Sequence, residues 1–376
     1  MRLSIGDLAL AIALLIAQVS VYSAQDTSVR AKQTYARAIE LESKGNQPAA
    51  LALLWEAAGL APADPEIQNA LGEALERIGA LDAAIAAYRA ALQPDPQFPR
   101  ASNNLILALV KAGKGEEAVQ RARDRVAQAP NDPDRYFTLG LAQSEQNIEE
   151  AMKSFRRALE IDPRHALARY NLALALDRSD RAAEAIEEMK KTLALDPRAE
   201  THYRLGVMYS RQGEFDAAIR ELKAAIDRDP RSADAHAARG AVFRARSDWE
   251  NAERELRQAI AIHADSATYY TLAQILQQRG DTIGATAAIA EAERLRHGRE
   301  QDQQASVLTS VGTAKFDDGD LAGALELFRR AVAASGQYAP AYYQMGRTLQ
   351  RLGREQEAKD AFSRAAALNP SLAAPK

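Results

Sequence analysis

Ala199–Ser232 reads AETHYRLGVMYSRQGEFDAAIRELKAAIDRDPRS. Leu205, Met208 and Tyr209 recur at i, i+3 and i+4, the spacing of one face of a helix. Ala218, Ile219, Leu222, Ala225 and Ile226 repeat that pattern after an interruption at Gly213, a residue suited to ending a helix. Asp229-Pro230 closes the second pattern, because proline cannot continue a helix. Gly206 and Ala218 carry little or no side chain, so two helices can approach closely there. A helix pair this short cannot bury its own apolar face and needs copies of itself on either side.

The rest of the chain supplies those copies. The Gly206 slot recurs at Ala38, Gly72, Ile106, Gly140, Ala173, Gly240, Ala273, Gly312 and Gly346. The spacings are 34, 34, 34, 33, 33, 34, 33, 39 and 34 residues. The Ala218 slot is alanine every time, at Ala50, Ala84, Ala118, Ala151, Ala185, Ala252, Ala285, Ala324 and Ala358. The Pro230 slot recurs at Pro62, Pro96, Pro130, Pro163, Pro197 and Pro370 and is lost at Ala264, His297 and Gly336. Leu205-Gly206, Tyr209, Gly213, Ala218, Ala225 and Pro230 resemble the signature of the tetratricopeptide repeat, a helix–turn–helix unit of about 34 residues. The resemblance covers Ala31 to Pro370. It implies an all-α, right-handed superhelical solenoid of about ten repeats, with the first helix of each lining a concave surface.

Domain organisation follows from the spacing. Residues 1–24 read as a leader, 25–298 as repeats one to eight, and 299–376 as repeats nine and ten after an insertion. The insertion lies at His297–Gln304, HGREQDQQ, and lacks apolar periodicity. Two readings stand for it: an extension of a helix, or a loop where the superhelix kinks and a hinge is to be expected. Repeats four and five are each one residue short, which is expected to trim a turn. After the last repeat, Leu352, Ala361, Phe362 and Ala365 are expected to leave an exposed apolar edge.

Leu8–Ala17 is a short, wholly apolar run, followed by small and β-branched residues at Val21–Ala24. That is the layout of a cleaved secretory signal peptide, and it implies an exported protein, periplasmic or extracellular. The alternatives are an uncleaved membrane anchor through residues 8–22 and an amphipathic first helix. The chain has no cysteine, so it has no disulfide framework, thiolate metal site or cysteine nucleophile.

Composition argues against several functions. A net charge of −3 and basic clusters interleaved with acids give no electrostatic footprint for nucleic acid. The five histidines, His165, His202, His236, His263 and His297, never pair at i+3 or i+4. Phosphate-loop and nucleophile-elbow motifs are absent, and the repeats fill the mature chain. The chain therefore reads as a non-enzyme without cofactor, metal or small-molecule substrate.

Recognition remains. If the resemblance holds, the groove stripe of Ala199–Ser232 is Glu200, Tyr203, Val207, Ser210 and Arg211. Repeat two offers the acidic set Glu66, Asn69, Glu73 and Glu76. The next four offer Asn103, Leu107, Val110, then Phe137, Leu141, then Tyr170, Leu174, then Tyr203, Val207. Later repeats offer Ala237, Ala241 and Arg244, then Tyr270, Gln274 and Gln277, then Thr309, Thr313 and Phe316, then Tyr343, Arg347 and Gln350. Tyrosine in the Tyr203 slot also serves packing between first helices in the family, so the run Leu107, Leu141, Leu174, Val207 carries more weight. Asn171 and Arg204 fall in the slots of the family's carboxylate clamp, but Glu200 stands where lysine is needed. The first reading is thus a module that holds an extended segment of a partner protein in its groove. The second is a scaffold of a cell-envelope complex that self-associates through its C-terminal repeat.

Overall fold

The computed structural model describes residues 26–372. The leader reading falls on residues outside that range. The described residues form helices throughout and no strand. Helix α1 covers residues 26–43. It is followed by α2 (Gln47–Leu60), α3 (Pro65–Arg77), α4 (Leu81–Ala91), α5 (Pro99–Lys111), α6 (Gly115–Gln128), α7 (Pro133–Gln143), α8 (Ile148–Ile161), α9 (Ala166–Arg178) and α10 (Ala182–Leu195). Then come α11 (Ala199–Arg211), α12 (Phe215–Arg228), α13 (Ala233–Ala245), α14 (Trp249–Ile262), α15 (Ser266–Gln278), α16 (Thr282–Asp317), α17 (Leu321–Ala334), α18 (Ala339–Arg351) and α19 (Glu355–Leu368). A 3₁₀ turn, Pro370–Leu372, follows. The chain divides into two compact units, residues 1–197 and 198–376.

Within each unit the first helix of a repeat, odd-numbered up to α15 and then the second half of α16 and α18, packs on its own second helix, and up to α15 and again from α17 the second helix packs on the next repeat's first. Three slots explain the stack. The turn between the paired helices needs positive φ, met by Gly213 at +75° and by glycine in six other repeats. Asp180 and Ser247 take the same conformation where the glycine is missing. At the Gly206 slot any Cβ would stand 2.7 Å from Cγ of Leu222, so the facing helix itself excludes a side chain. Where Ile106 and Ala173 fill that slot, Ala122 and Met189 stand in the Leu222 slot. All four are buried. Ile106 with Ala122 inverts the sizes seen in Gly72 with Tyr88 and Gly140 with Phe155, as close packing at fixed volume requires.

The helix ends are set locally. Asp64 accepts from the backbone N–H of Glu66 and Ile67 at 3.0 and 3.1 Å ahead of α3. Asp281 accepts from Gly284 at 2.8 Å ahead of α16. The residue missing from repeat four comes out of the α7–α8 turn and the end of α7, since α7 has 11 residues where α11 has 13. The residue missing from repeat five comes out of the connector Asp196–Arg198.

Of the two readings of His297–Gln304, the helix extension holds: α16 runs unbroken for 36 residues and joins the second helix of repeat eight to the first of repeat nine, with residues 298 and 299 inside it. One expectation changes. The apolar edge at the last repeat is mostly closed. Ala361, Phe362 and Ala365 are buried, and Phe362 packs edge-on against Tyr343 with ring centroids 5.6 Å apart. Leu352 stays exposed. No helix among the described residues is long and apolar enough to cross a membrane.

Candidate partner-binding groove

In unit 1 the first helices α5, α7 and α9 lie side by side. The Val207 slot puts Leu107, Leu141 and Leu174 on successive helices, and Val110 sits one turn beyond Leu107. These four meet around one hollow of about 310 Å³. Each is half-buried, whereas Leu105, Leu139 and Leu172, two residues before each leucine, are buried in the stack. The 3.6-residue period sends those neighbours inward and leaves Leu107, Leu141 and Leu174 facing outward. The rim is charged. Lys111 Nζ lies 2.5 Å from Glu76, and the Arg178 guanidinium lies 3.6 Å from Glu145. Asn171 also lines the hollow and donates to the backbone carbonyl of Leu167 at 2.8 Å.

The other sequence candidates of this unit lie elsewhere. Phe137 is wedged between neighbouring repeats, with ring centroids 6.2 Å from Phe155 and 5.1 Å from His165. His165 caps α9: its Nδ1 accepts from the Ala168 N–H at 3.1 Å, so Nε2 donates to Asp134 at 3.0 Å. Asn103 is held through its side-chain oxygen by Arg125 on α6. Tyr170 is half-buried and does not line the hollow. The acidic set of repeat two is neutralised by repeat three. Arg100 reaches Glu73 at 3.2 Å and Glu66 at 3.7 Å, and Asn104 donates to both Asn69 and Glu73 at 3.0 Å. The Tyr88 hydroxyl donates to Glu76 at 3.0 Å. Burial, reinforced by the Glu76 carboxylate, pushes that hydroxyl well above the usual phenol range.

Unit 2 fills the same slots differently. Tyr203 packs against Ala225, Ile226 and Ala235, with the Arg204 guanidinium 5.4 Å from its ring centroid. Burial first, and the nearby Asp234 carboxylate second, raise its pKa. Val207 is half-buried. Arg244 donates to Gln274 at 3.0 Å, and these two line a polar hollow of about 390 Å³ with Gln277 and Trp249. Phe316 is buried beneath two guanidiniums, Arg347 and Arg351, each 4.8 Å from its centroid, instead of lining a groove. His202 and His236 are also spent in packing: their Nδ1 atoms lie 2.7 Å from Glu221 and 2.8 Å from Glu255. Among the described residues no three His, Cys, Asp or Glu side chains gather as a metal site requires. Nothing in the sequence marked the Arg–carboxamide ladder of repeats two and three, because each partner looks like an ordinary solvated polar residue.

Tetratricopeptide-repeat models match residues 35–99, 79–144, 142–205, 203–267 and 315–374. The chain belongs to the tetratricopeptide-repeat family. The gap between the last two matches contains most of α16. A repeat protein from Parabacteroides merdae has a similar structure, with a TM-score of 0.50, 17% identity, and coverage of 70% of this chain and 98% of that one. At that identity the likeness concerns the fold. A fragment of MamA from Desulfovibrio magneticus RS-1 is 26% identical, covers 44% of this chain and 95% of that one, and has a TM-score of 0.39. Among curated proteins, the BBSome complex member bbs-4 of Caenorhabditis elegans is 22% identical over 248 residues. That match covers 64% of this chain and spans about half the relative's length, 54%. Repeats of this family mediate protein–protein interaction, and they are a scaffold without catalytic machinery of their own.

Proposed function

We propose that the protein captures an extended segment of a partner protein along the groove face of unit 1. The observation that carries this reading is the hollow floored by Leu107, Val110, Leu141 and Leu174. Half-exposed aliphatic side chains on three successive first helices form one continuous apolar floor. Alternate side chains of an extended peptide would fill that floor, and the charges of Lys111, Glu145 and Arg178 would orient its polar groups. The chain acts by binding, without catalysis. The apolar run Leu8–Ala17 supports export of the mature chain, with a new N-terminus near Ala24 or Gln25 that N-terminal sequencing would read.

Leu141→Glu with Leu174→Glu tests the groove. A library of displayed, unstructured peptides is selected on the parent, and the winners are titrated onto the variant. Aliphatic-rich peptides are expected to bind the parent and to lose about 2 kcal/mol on the variant, near thirtyfold, because apolar anchors are lost. Melting should stay near the parent's. Equal binding by both proteins removes the hollow as the site.

A further inference from the structure

Helix α16 interrupts an interface that the rest of the array keeps. The Leu205 slot is buried at Leu71, Leu105, Leu139, Leu172 and Leu272, and the Thr201 slot at Ala101, Ala168, Ala235, Thr268 and Ala341. What covers them is the second helix of the preceding repeat. Ala225 and Ile226 of α12 cover Ala235, and Ala331 of α17 packs on Ala341. In repeat nine these slots hold Val307 and Val311, which are 59% and 50% exposed. The preceding second helix is the first half of α16 itself, and an unbroken helix cannot fold back on its own second half. On the first half of α16 the Ala225 slot is Ala292, which is buried, but Glu293 in the Ile226 slot is exposed, and Ile289 in the Leu222 slot is 40% exposed where Leu222, Leu256 and Phe328 are buried. Ile289 and Val307 are 18 residues apart, about 27 Å along the axis, so one copy cannot bring them together.

Ile289, Glu293, Arg296, Glu300, Val307 and Val311 are all exposed and follow the three- and four-residue steps of a single helical stripe. We propose that this stripe is a self-association surface, on which a second copy of the chain lays its own α16 antiparallel. With the two-fold axis beside Gly298, Ile289 of each copy meets Val307 of the other. The same register sets Arg296 of each copy opposite Glu300 of the other, so the polar middle is charge-complementary to itself. The two groups are already within reach on one helix, at 3.7 Å. This surface is independent of the groove in unit 1.

Light scattering on the full chain over a concentration series, combined with three sets of variants, tests the proposal. The parent is expected to form a dimer. Val307→Glu with Val311→Glu should be monomeric at every concentration with an unchanged helix signal, since both positions face water in one copy. Arg296→Glu should weaken the dimer, and adding Glu300→Arg should restore it. The chain has no cysteine, so Ile289→Cys with Val307→Cys gives a clean crosslink, expected at dimer mass after oxidation. A parent that stays monomeric, or a dimer that survives the two glutamates, overturns the proposal. So does a disulfide at monomer mass, which would mean that α16 bends and that repeats eight and nine stack within one copy.

Discussion

The groove faces of the two units are built from the same slots and filled with different chemistry. In unit 1 the Val207 slot holds Ile39 and Glu73 and then Leu107, Leu141 and Leu174, which meet over an aliphatic hollow. In unit 2 it holds Val207, Ala241, Gln274, Thr313 and Arg347, and the hollow there is lined by Arg244, Gln274 and Gln277. The Ala218 slot of the stack shows no such divergence: it is alanine in both units and almost fully buried. The stack consumes the positions it needs and leaves the outward face of each first helix unconstrained. The fold is therefore conserved along the chain while the recognition chemistry is free to differ from repeat to repeat.

The sharpest test of that division sets two residues of one helix against each other. Leu172→Glu and Leu205→Glu each bury a carboxylate without a partner and should cost about 4 kcal/mol, enough to unfold the repeats concerned. Leu174→Glu and Val207→Glu, two residues further on, should change stability by less than about 0.5 kcal/mol. Thermal melting of the four variants decides it. If both members of a pair cost the same, the separation of stack from groove fails.

A second test asks whether the stack slots trade volume. Ala122→Phe alone should cost about 2 kcal/mol, because Ile106 already fills the space opposite. Ile106→Gly alone should cost about 3 kcal/mol from the cavity and the lost helix propensity. Together they recreate the Gly140–Phe155 arrangement, so urea titrations should show the double variant recovering most of the loss. Simple additivity would mean that the two slots do not face each other.

The smallest effect concerns Tyr88. Tyr88→Phe removes one hydrogen bond to Glu76 and should cost about 1 kcal/mol. Burial and the Glu76 carboxylate raise the folded-state pKa of this hydroxyl above the ordinary phenol value of about 10. Its contribution is therefore complete below that pH and is lost as pH climbs through the folded value. Parent and variant should differ in urea midpoint at neutral pH and converge in the alkaline range. A constant difference would mean that the hydroxyl ionises no later in the fold than out of it.

The repeat period was legible in sequence because glycine, alanine and proline mark places where backbone or neighbouring helix forbids anything larger. The leucines of the hollow were legible because a helix face can be read from spacing alone. Phe137, Tyr203 and Phe316 were misplaced for one reason. An aromatic ring is long enough to leave its own face and lie on the next repeat, and spacing records where a Cα points, not where a ring comes to rest. The apolar edge at Phe362 was misjudged because the neighbour that covers part of it, Tyr343, belongs to the same repeat pair.

The sequence by itself determined the family, the number of repeats, the pairing of helices and the inward and outward faces of each first helix. These follow from local rules: which residues tolerate positive φ, which end a helix, and which can stand where two backbones nearly touch. Tertiary structure alone decided three things. Repeats two and three lock their polar faces together through Arg100, Asn104 and Lys111, the aliphatic floor closes around one hollow, and α16 runs straight through the 39-residue interval. Each depends on whether a side chain or a helix end finds a partner from a different repeat, and a one-dimensional pattern carries no such information. HGREQDQQ lacks apolar periodicity because its contact within one copy is polar, Asp302 accepting from the Ser335 hydroxyl at 2.5 Å, and the packing at both ends of α16 holds it as a helix.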